Sequence, residues 1–430
     1  MTRALETKGQ GFPGGSGSKA RCRAAARDAS TDPAPCSSHE GRVGFLGSSA
    51  RKAVLAAKFA VEGAFFLRRS EGGQWMYNKA NILVTGGASF IGSHLAEALL
   101  KAGAKVTIVD DLSSGEIENI QPILGEIRFL RADLRDSRVA IDSCDGQDFV
   151  FHLANIHGGR GFIETHPGEI VQNLAIDGNV FRAAQLAGVK RVCFASSACA
   201  YPTTLQTADK STLQRYLSEE MADPFREGCA LADGEYGWAK LMGEMALGAY
   251  HKQFGLQGVS CRLFTVYGPR ENETHAIIAF VAKALIRQDP FEIWGSGEQD
   301  RNFTYVSDIV EGLMLATEKI SDCSPINIGT DEIVKIIDAA KTVCDIVGHR
   351  PSRFFCDASK PEGVHARAAS TQLQEKRLGW RPRVAFREGI EKTIDWFSSS
   401  RDVAALRENF EQLLFERKAS PGLVSSLVSS

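Results

Sequence analysis

Several absences narrow what this 430-residue chain can be. Its ten cysteines are scattered, with no Cys-x-x-Cys pair and no Cys/His cluster, so neither a zinc site nor a disulfide framework is indicated. No metal is expected. No apolar run is long enough to cross a bilayer, so no membrane contact is expected either. Fifty basic side chains against 52 acidic ones leave a formal charge of −2, which offers no basic surface to nucleic acid. Unpaired cysteines suit a reducing compartment, and the expected location is cytoplasmic. Cys193, Cys261 and Cys344 sit in apolar runs and read as small core residues.

What is present centres on Asn81 to Asp110. Asn81 to Thr85 reads as a buried parallel strand, Ser93 to Ala102 as a helix stopped by Gly103, and Val106 to Val109 as a second strand closed by Asp110. Strand, glycine turn, helix, strand and acid form a dinucleotide-binding unit. Gly86 permits the tight turn and Gly92 lets the helix pack on the sheet. Ser89 stands where the middle glycine is usual, and with Phe90 and Ile91 it opens the helix N-terminus toward a pyrophosphate. Asp110 would accept the adenosine ribose hydroxyls and repel a 2′-phosphate, so the expected cofactor is NAD rather than NADP.

The fold expected is α/β: a Rossmann-type doubly wound parallel sheet with a smaller C-terminal α/β substrate lobe. Residues 1–77, rich in Gly, Ser, Pro, Arg and Ala over their first half, read as an extension outside the domain, with Met76 as the expected start. The NAD-binding domain is expected over 78–270. The substrate lobe follows over 271–400, with 325–347 returning to the sheet, and 401–430 form a tail. Ile127 to Arg131 continues the sheet, and Asp133-Leu134 after it suit the adenine edge. Phe149 to Leu153 is the fourth strand and leads into Ala154. The glycine-rich loop Gly158-Gly159-Arg160-Gly161 then follows at a strand's carboxyl end, where open sheets bind ligands. A helix from Asn173 to Ala187, a strand from Val192 to Ala195 and a helix from Tyr236 to Phe254 come next; Asn173 joins the cofactor set.

Tyr236 and Lys240 stand four apart on one helical face. A lysine beside a phenol lowers its pKa, so Tyr236 can act as a general base on an alcohol while hydride leaves for NAD. Ser197 would hydrogen-bond the same hydroxyl. Val84 to His94, Tyr236 with Lys240, and Ser196-Ser197 together resemble the extended short-chain dehydrogenase/reductase superfamily, in particular its nucleotide-sugar epimerases and dehydratases. The resemblance covers about Asn81 to Phe397. It implies a nucleotide-sugar substrate, with Arg301 on the nucleotide diphosphate. It also implies a homodimer formed through the helices at Asn173 to Ala187 and Tyr236 to Phe254; Leu241, Met242, Met245 and Leu247 are consistent with such an interface and would serve equally well in a core.

Within the superfamily, Ser196-Ser197-Ala198-Cys199-Ala200-Tyr201-Pro202, Gly158 to Ile163, and Pro361 to Val364 with Arg367 resemble the GDP-mannose 3,5-epimerases. That resemblance implies Cys199 as an acid/base group. A ketone made at carbon 4 acidifies the neighbouring C–H bonds, and a thiolate can abstract one of those protons. The family's second group is a lysine; aligning Ala279-Phe280 and Lys283-Ala284 puts His275 in its place, and a histidine can do the same work. Thr265 and Ser370 also depart from the pattern. Ala198 and Cys199 replace the Asp-Glu of 4,6-dehydratases, which argues against dehydration. A 4-epimerase using Ser197, Tyr236 and Lys240 alone remains an alternative, as do a dehydrogenase and a non-catalytic NAD sensor.

Overall fold

The computed structural model describes residues 75–226, 231–360, 362–403 and 406–407. The expected extension up to residue 74, Pro361 and most of the C-terminal tail lie outside them. Strands β1 (Asn81–Thr85), β2 (Lys105–Asp110), β3 (Arg128–Arg131), β4 (Phe149–His152), β5 (Arg191–Ser197), β6 (Gly258–Leu263) and β7 (Asp322–Ile328) form one sheet. Its order is β7-β6-β5-β4-β1-β2-β3, with every neighbouring pair parallel. Ile82, Leu83 and Val84 are buried in succession because helices cover both faces, so the strand reads as a continuous apolar run rather than an alternation. The strand order reverses between β1 and β4, which opens a crevice at their carboxyl ends.

Helix α1 (Phe90–Lys101) buries Leu95, Ala96, Ala98 and Leu99 against the sheet. Helices α2 (Asn173–Leu186) and α3 (Gly234–Phe254) lie side by side. Gly255 ends α3 in the left-handed region, φ 75°, where its N–H reaches His251 O. The C-terminal lobe adds α4 (Ala276–Leu285) and a parallel pair of strands, Phe291–Trp294 with Phe354–Asp357. Helix α5 (Val306–Lys319) leads back to β7. A three-stranded ribbon orders Val334–Lys335, Asp300–Arg301 and Ala366–Arg367, and its parallel half sets Arg301 directly opposite Arg367.

The domain begins earlier than its composition suggests. Tyr77, expected outside it, is fully buried; its hydroxyl donates to Met314 O at 2.7 Å and its ring packs on Phe149 and Phe151. Leu406, assigned to the tail, is buried in the same core. One residue at a time, a buried terminus carries too little pattern to be seen in sequence.

Candidate active site

A cavity of about 500 Å³ opens above the crevice between β1 and β4 and extends to the C-terminal lobe. Its lower end has the form of a dinucleotide cradle. Gly86 has φ 67°, and a Cβ there would meet Ala154 Cα at 2.9 Å. A Cβ on Gly92 would lie 2.2 Å from Gly86 O, so only glycine lets α1 start this close to the turn. Helix α1 opens at Ser89 with no side-chain cap and no acid in its first turn, which leaves the N–H groups of its first turn for an anion. Ser89, Phe90, Ile91, Leu153 and Ala154 line this end, with Asp133 and Leu134 at its edge. Asp110 closes β2 and accepts from Ala88 N and Leu112 N, each at 2.9 Å. Burial raises the Asp110 pKa to about 6, against the pull of those two amides. These residues fit NAD: a glycine-tight turn, a free helix N-terminus and a carboxylate about 20 residues on.

Asn173 is a correction. It does not line the cavity; its side chain is spent on the backbone of Ile156, accepting from the N–H at 2.7 Å and donating to the carbonyl at 2.9 Å. It shapes the loop that carries His157 and Gly158 rather than reaching a cofactor. Asp133 reaches the cavity edge with its carboxylate held by Arg135 at 2.6 Å.

Above the cradle stand Ser197, at the end of β5, and Tyr236, in the first turn of α3. Lys240, one turn further on, is buried; its Nζ donates to Ala195 O at 2.8 Å and lies 5.8 Å from the centre of the Tyr236 ring. Burial lowers the Lys240 pKa, with Asp177, Cys199 and Glu244 opposing. Ser196, expected at the substrate, turns its hydroxyl to Glu244. Glu244 in turn pairs with the buried Arg262 at 2.7 Å, so the Ser196 hydroxyl braces β5 against α3 and β6.

Cys199 follows β5 in a single turn of helix, its N–H held by Ser197 Oγ at 3.1 Å. Arg367 Nη1 donates to Cys199 Sγ at 3.0 Å. The same guanidinium reaches Gln206 Oε1 and, at 2.7 Å, Asp233 Oδ2. Asp233 also takes Arg160 Nη1 from the glycine-rich loop at 2.9 Å. Burial disfavours charge on Asp233, yet the two guanidiniums outweigh it and hold its carboxyl below the usual range. Arg301 completes the cluster; burial and then the charge of Arg367 lower its pKa to about 10. Asp233, which sets the positions of Arg160 and Arg367, escaped the sequence reading. Its signal was its place just before α3, where a carboxylate usually caps; here it caps nothing and binds two arginines.

His275 precedes α4 and lines the cavity with Gly158 and Gly159. A Cβ on Gly159 would lie 2.1 Å from Thr274 O, so this glycine lets the loop touch the chain next to His275. His275 Nδ1 lies 2.7 Å from Glu271 Oε1. No group of His, Cys, Asp and Glu side chains among the described residues could hold a metal. None of the described helices is long and apolar enough to cross a membrane.

The NAD dependent epimerase/dehydratase family model matches residues 82–329. GDP-mannose 3,5-epimerase of Arabidopsis thaliana is 33% identical over 346 residues, which cover 78% of this chain and 86% of that protein. Among solved structures, UDP-glucose 4-epimerase of Thermotoga maritima with UDP-glucose superposes with a TM-score of 0.66 at 27% identity, covering 74% of this chain and 99% of that one. The Thermus thermophilus UDP-glucose 4-epimerase complex with NAD gives 0.62 at 26% identity, covering 75% and 100%.

Proposed function

This chain belongs to the NAD-dependent epimerase/dehydratase family, and we propose that it inverts carbon 3, carbon 5 or both of a nucleotide-linked hexose through a transient 4-keto sugar. Bound NAD supplies the means to oxidise the carbon 4 alcohol and later to reduce the ketone. Tyr236 takes the hydroxyl proton, with Ser197 bonding the same oxygen and Lys240 placing positive charge behind the phenol. The ketone acidifies the adjacent C–H bonds. Cys199 and His275 then exchange the carbon-bound proton, one abstracting and the other returning it from the opposite face. Arg301 and Arg160 hold the diphosphate end.

One observation carries this reading: a cysteine that lines the cavity with a half-buried guanidinium 3.0 Å from its sulfur. A cation at that distance stabilises negative charge on sulfur, which a proton-abstracting thiol requires. A 4-epimerase, the reading favoured by the structural relatives, has no use for it. The assembly is a homodimer through α2 and α3. Incubation with GDP-mannose and with UDP-glucose, followed by separation of the nucleotide sugars, tests the proposal. Formation of a carbon 3 or carbon 5 epimer supports it; formation of the carbon 4 epimer alone refutes it.

A further inference from the structure

His275 comes with a partner. Glu271, four residues before His275, is buried at 3% exposure, and its Oε1 lies 2.7 Å from His275 Nδ1. Its other oxygen, Oε2, is buried with no hydrogen-bond partner among the described residues. A carboxylate buried with an oxygen unsatisfied is costly, and a neighbouring positive charge offsets that cost. The neighbour in place is an imidazole. Burial raises the Glu271 pKa, and His275 and the Gly268 backbone oppose the rise.

His275 itself has no helix-capping task that would explain it. It occupies the N-cap position of α4, where Ser, Thr, Asp or Asn is preferred, and its side chain makes no capping bond. Its ring lines the cavity and lies 6.0 Å from that of His157, centre to centre. An ionised carboxylate only accepts, so a neutral His275 ring facing it carries its hydrogen on Nδ1 and leaves Nε2 as the free base.

We propose that Glu271 is a positioning residue that fixes the tautomer and the charge of His275, making Nε2 the atom that moves the proton; this rests on His275 being the second acid/base group. The Nε2 lone pair takes the proton from the carbon beside the ketone, and the C–H electron pair passes into the enolate. The imidazolium so formed is stabilised by Glu271, which keeps its own charge and takes no proton. In the opposite direction, Nε2–H returns a proton to the enolate carbon, and the ring becomes neutral again.

Two variants separate charge from geometry. Glu271→Gln keeps an oxygen for Nδ1–H but removes the charge; Glu271→Leu removes both. Nitrogen-15 spectra of histidine-labelled protein, with His275 identified by its loss in His275→Asn, report the tautomer. Deuterium uptake from heavy water at carbons 3 and 5 reports the proton transfer. The wild type shows Nδ1–H on His275, and Glu271→Gln retains it. Glu271→Leu loses it. Both variants slow uptake at the inverted carbon by about 100-fold, the low end of the range for general acid–base groups, while NAD binding is unchanged. An unchanged His275 spectrum and unchanged uptake in Glu271→Leu would overturn the proposal; should that variant not fold, unchanged uptake in Glu271→Gln would do so. A tautomer that depends on Glu271 in a protein that takes up no deuterium from GDP-mannose, UDP-glucose or UDP-glucuronate would overturn the proton-transfer role and leave a structural pair.

Discussion

Arg367 lies 3.0 Å from the sulfur of Cys199, although 168 residues separate them in the chain. The contact exists because the short strand Ala366–Arg367 pairs with Asp300–Arg301 and because Asp233 holds the far side of the same guanidinium. Burial opposes the charge on Arg367; Cys199 and Asp233 reverse that and hold the guanidinium firmly protonated. The C-terminal lobe thus delivers a fixed cation to the turn that follows β5.

Replacing Arg367 with Met removes that cation while leaving the cradle untouched. Exchange of carbon-bound protons should fall about 100-fold, a typical general acid–base contribution, with NAD binding retained. Deuterium uptake and cofactor titration on the same sample check this. Asp233→Asn should produce a smaller loss, because it loosens Arg160 and Arg367 together without removing either.

Asp110 makes cofactor binding pH-dependent. Burial raises its folded-state pKa from 3.8 to about 6. A raised pKa contributes stability that is fully present below pH 3.8 and lost as pH rises through about 6. The adenosine ribose hydroxyls of bound NAD would donate to the ionised carboxylate and oppose that loss. The melting-temperature gain on adding NAD should therefore grow between pH 5 and 7, and Asp110→Asn should flatten it.

Glu244 and Arg262 form a buried ion pair, with guanidinium bonds also to the carbonyls of Glu219 and Ala222. Removing the carboxylate strands a buried cation. Glu244→Ala should cost about 3–5 kcal/mol of stability, measured by urea unfolding, and should release Ser196 as well.

The proposed dimer rests on an apolar face shared by α2 and α3. Of the four residues that suit either this face or a core, Leu241 and Leu247 are fully buried in the protomer core. Met242 is 45% exposed and Trp238, one turn earlier on α3, 41%; Leu174 on the adjacent α2 is also 41% exposed. Trp238→Glu with Met242→Glu should convert the dimer to a monomer in light scattering while leaving the fold's melting transition in place.

Much of the architecture was readable because it is written in runs. β1, α1, β2 and Asp110 announce the cradle through period and glycine placement, and the strand Phe291–Trp294 stands where its apolar pattern puts it. The helix Phe386–Ser400 and the strand Phe354–Asp357 were missed, since charged and polar residues interrupt the former and the latter has no fully buried residue to mark a face. Within the site, Ser197, Cys199, Tyr236 and His275 line the cavity as their motifs indicate, Lys240 is buried behind them on Ala195 O, and the side chains whose role comes from a partner did not show. Asp233 gains its meaning from Arg160 and Arg367 across the fold, and Glu271 from His275 four residues on; Asn173, read as a cofactor residue, is spent on Ile156. Side-chain pairing between distant segments leaves no periodicity.

The most direct test of the central claim is proton NMR of GDP-mannose, UDP-glucose and UDP-glucuronate, each incubated with the protein in heavy water, with Cys199→Ser run in parallel. The account predicts that one sugar loses its carbon 3 or carbon 5 proton signal with the wild type and keeps the Cys199-dependent signal with the variant. A carbon 4 epimer formed with every carbon-bound proton retained, at equal rates in both proteins, would contradict it.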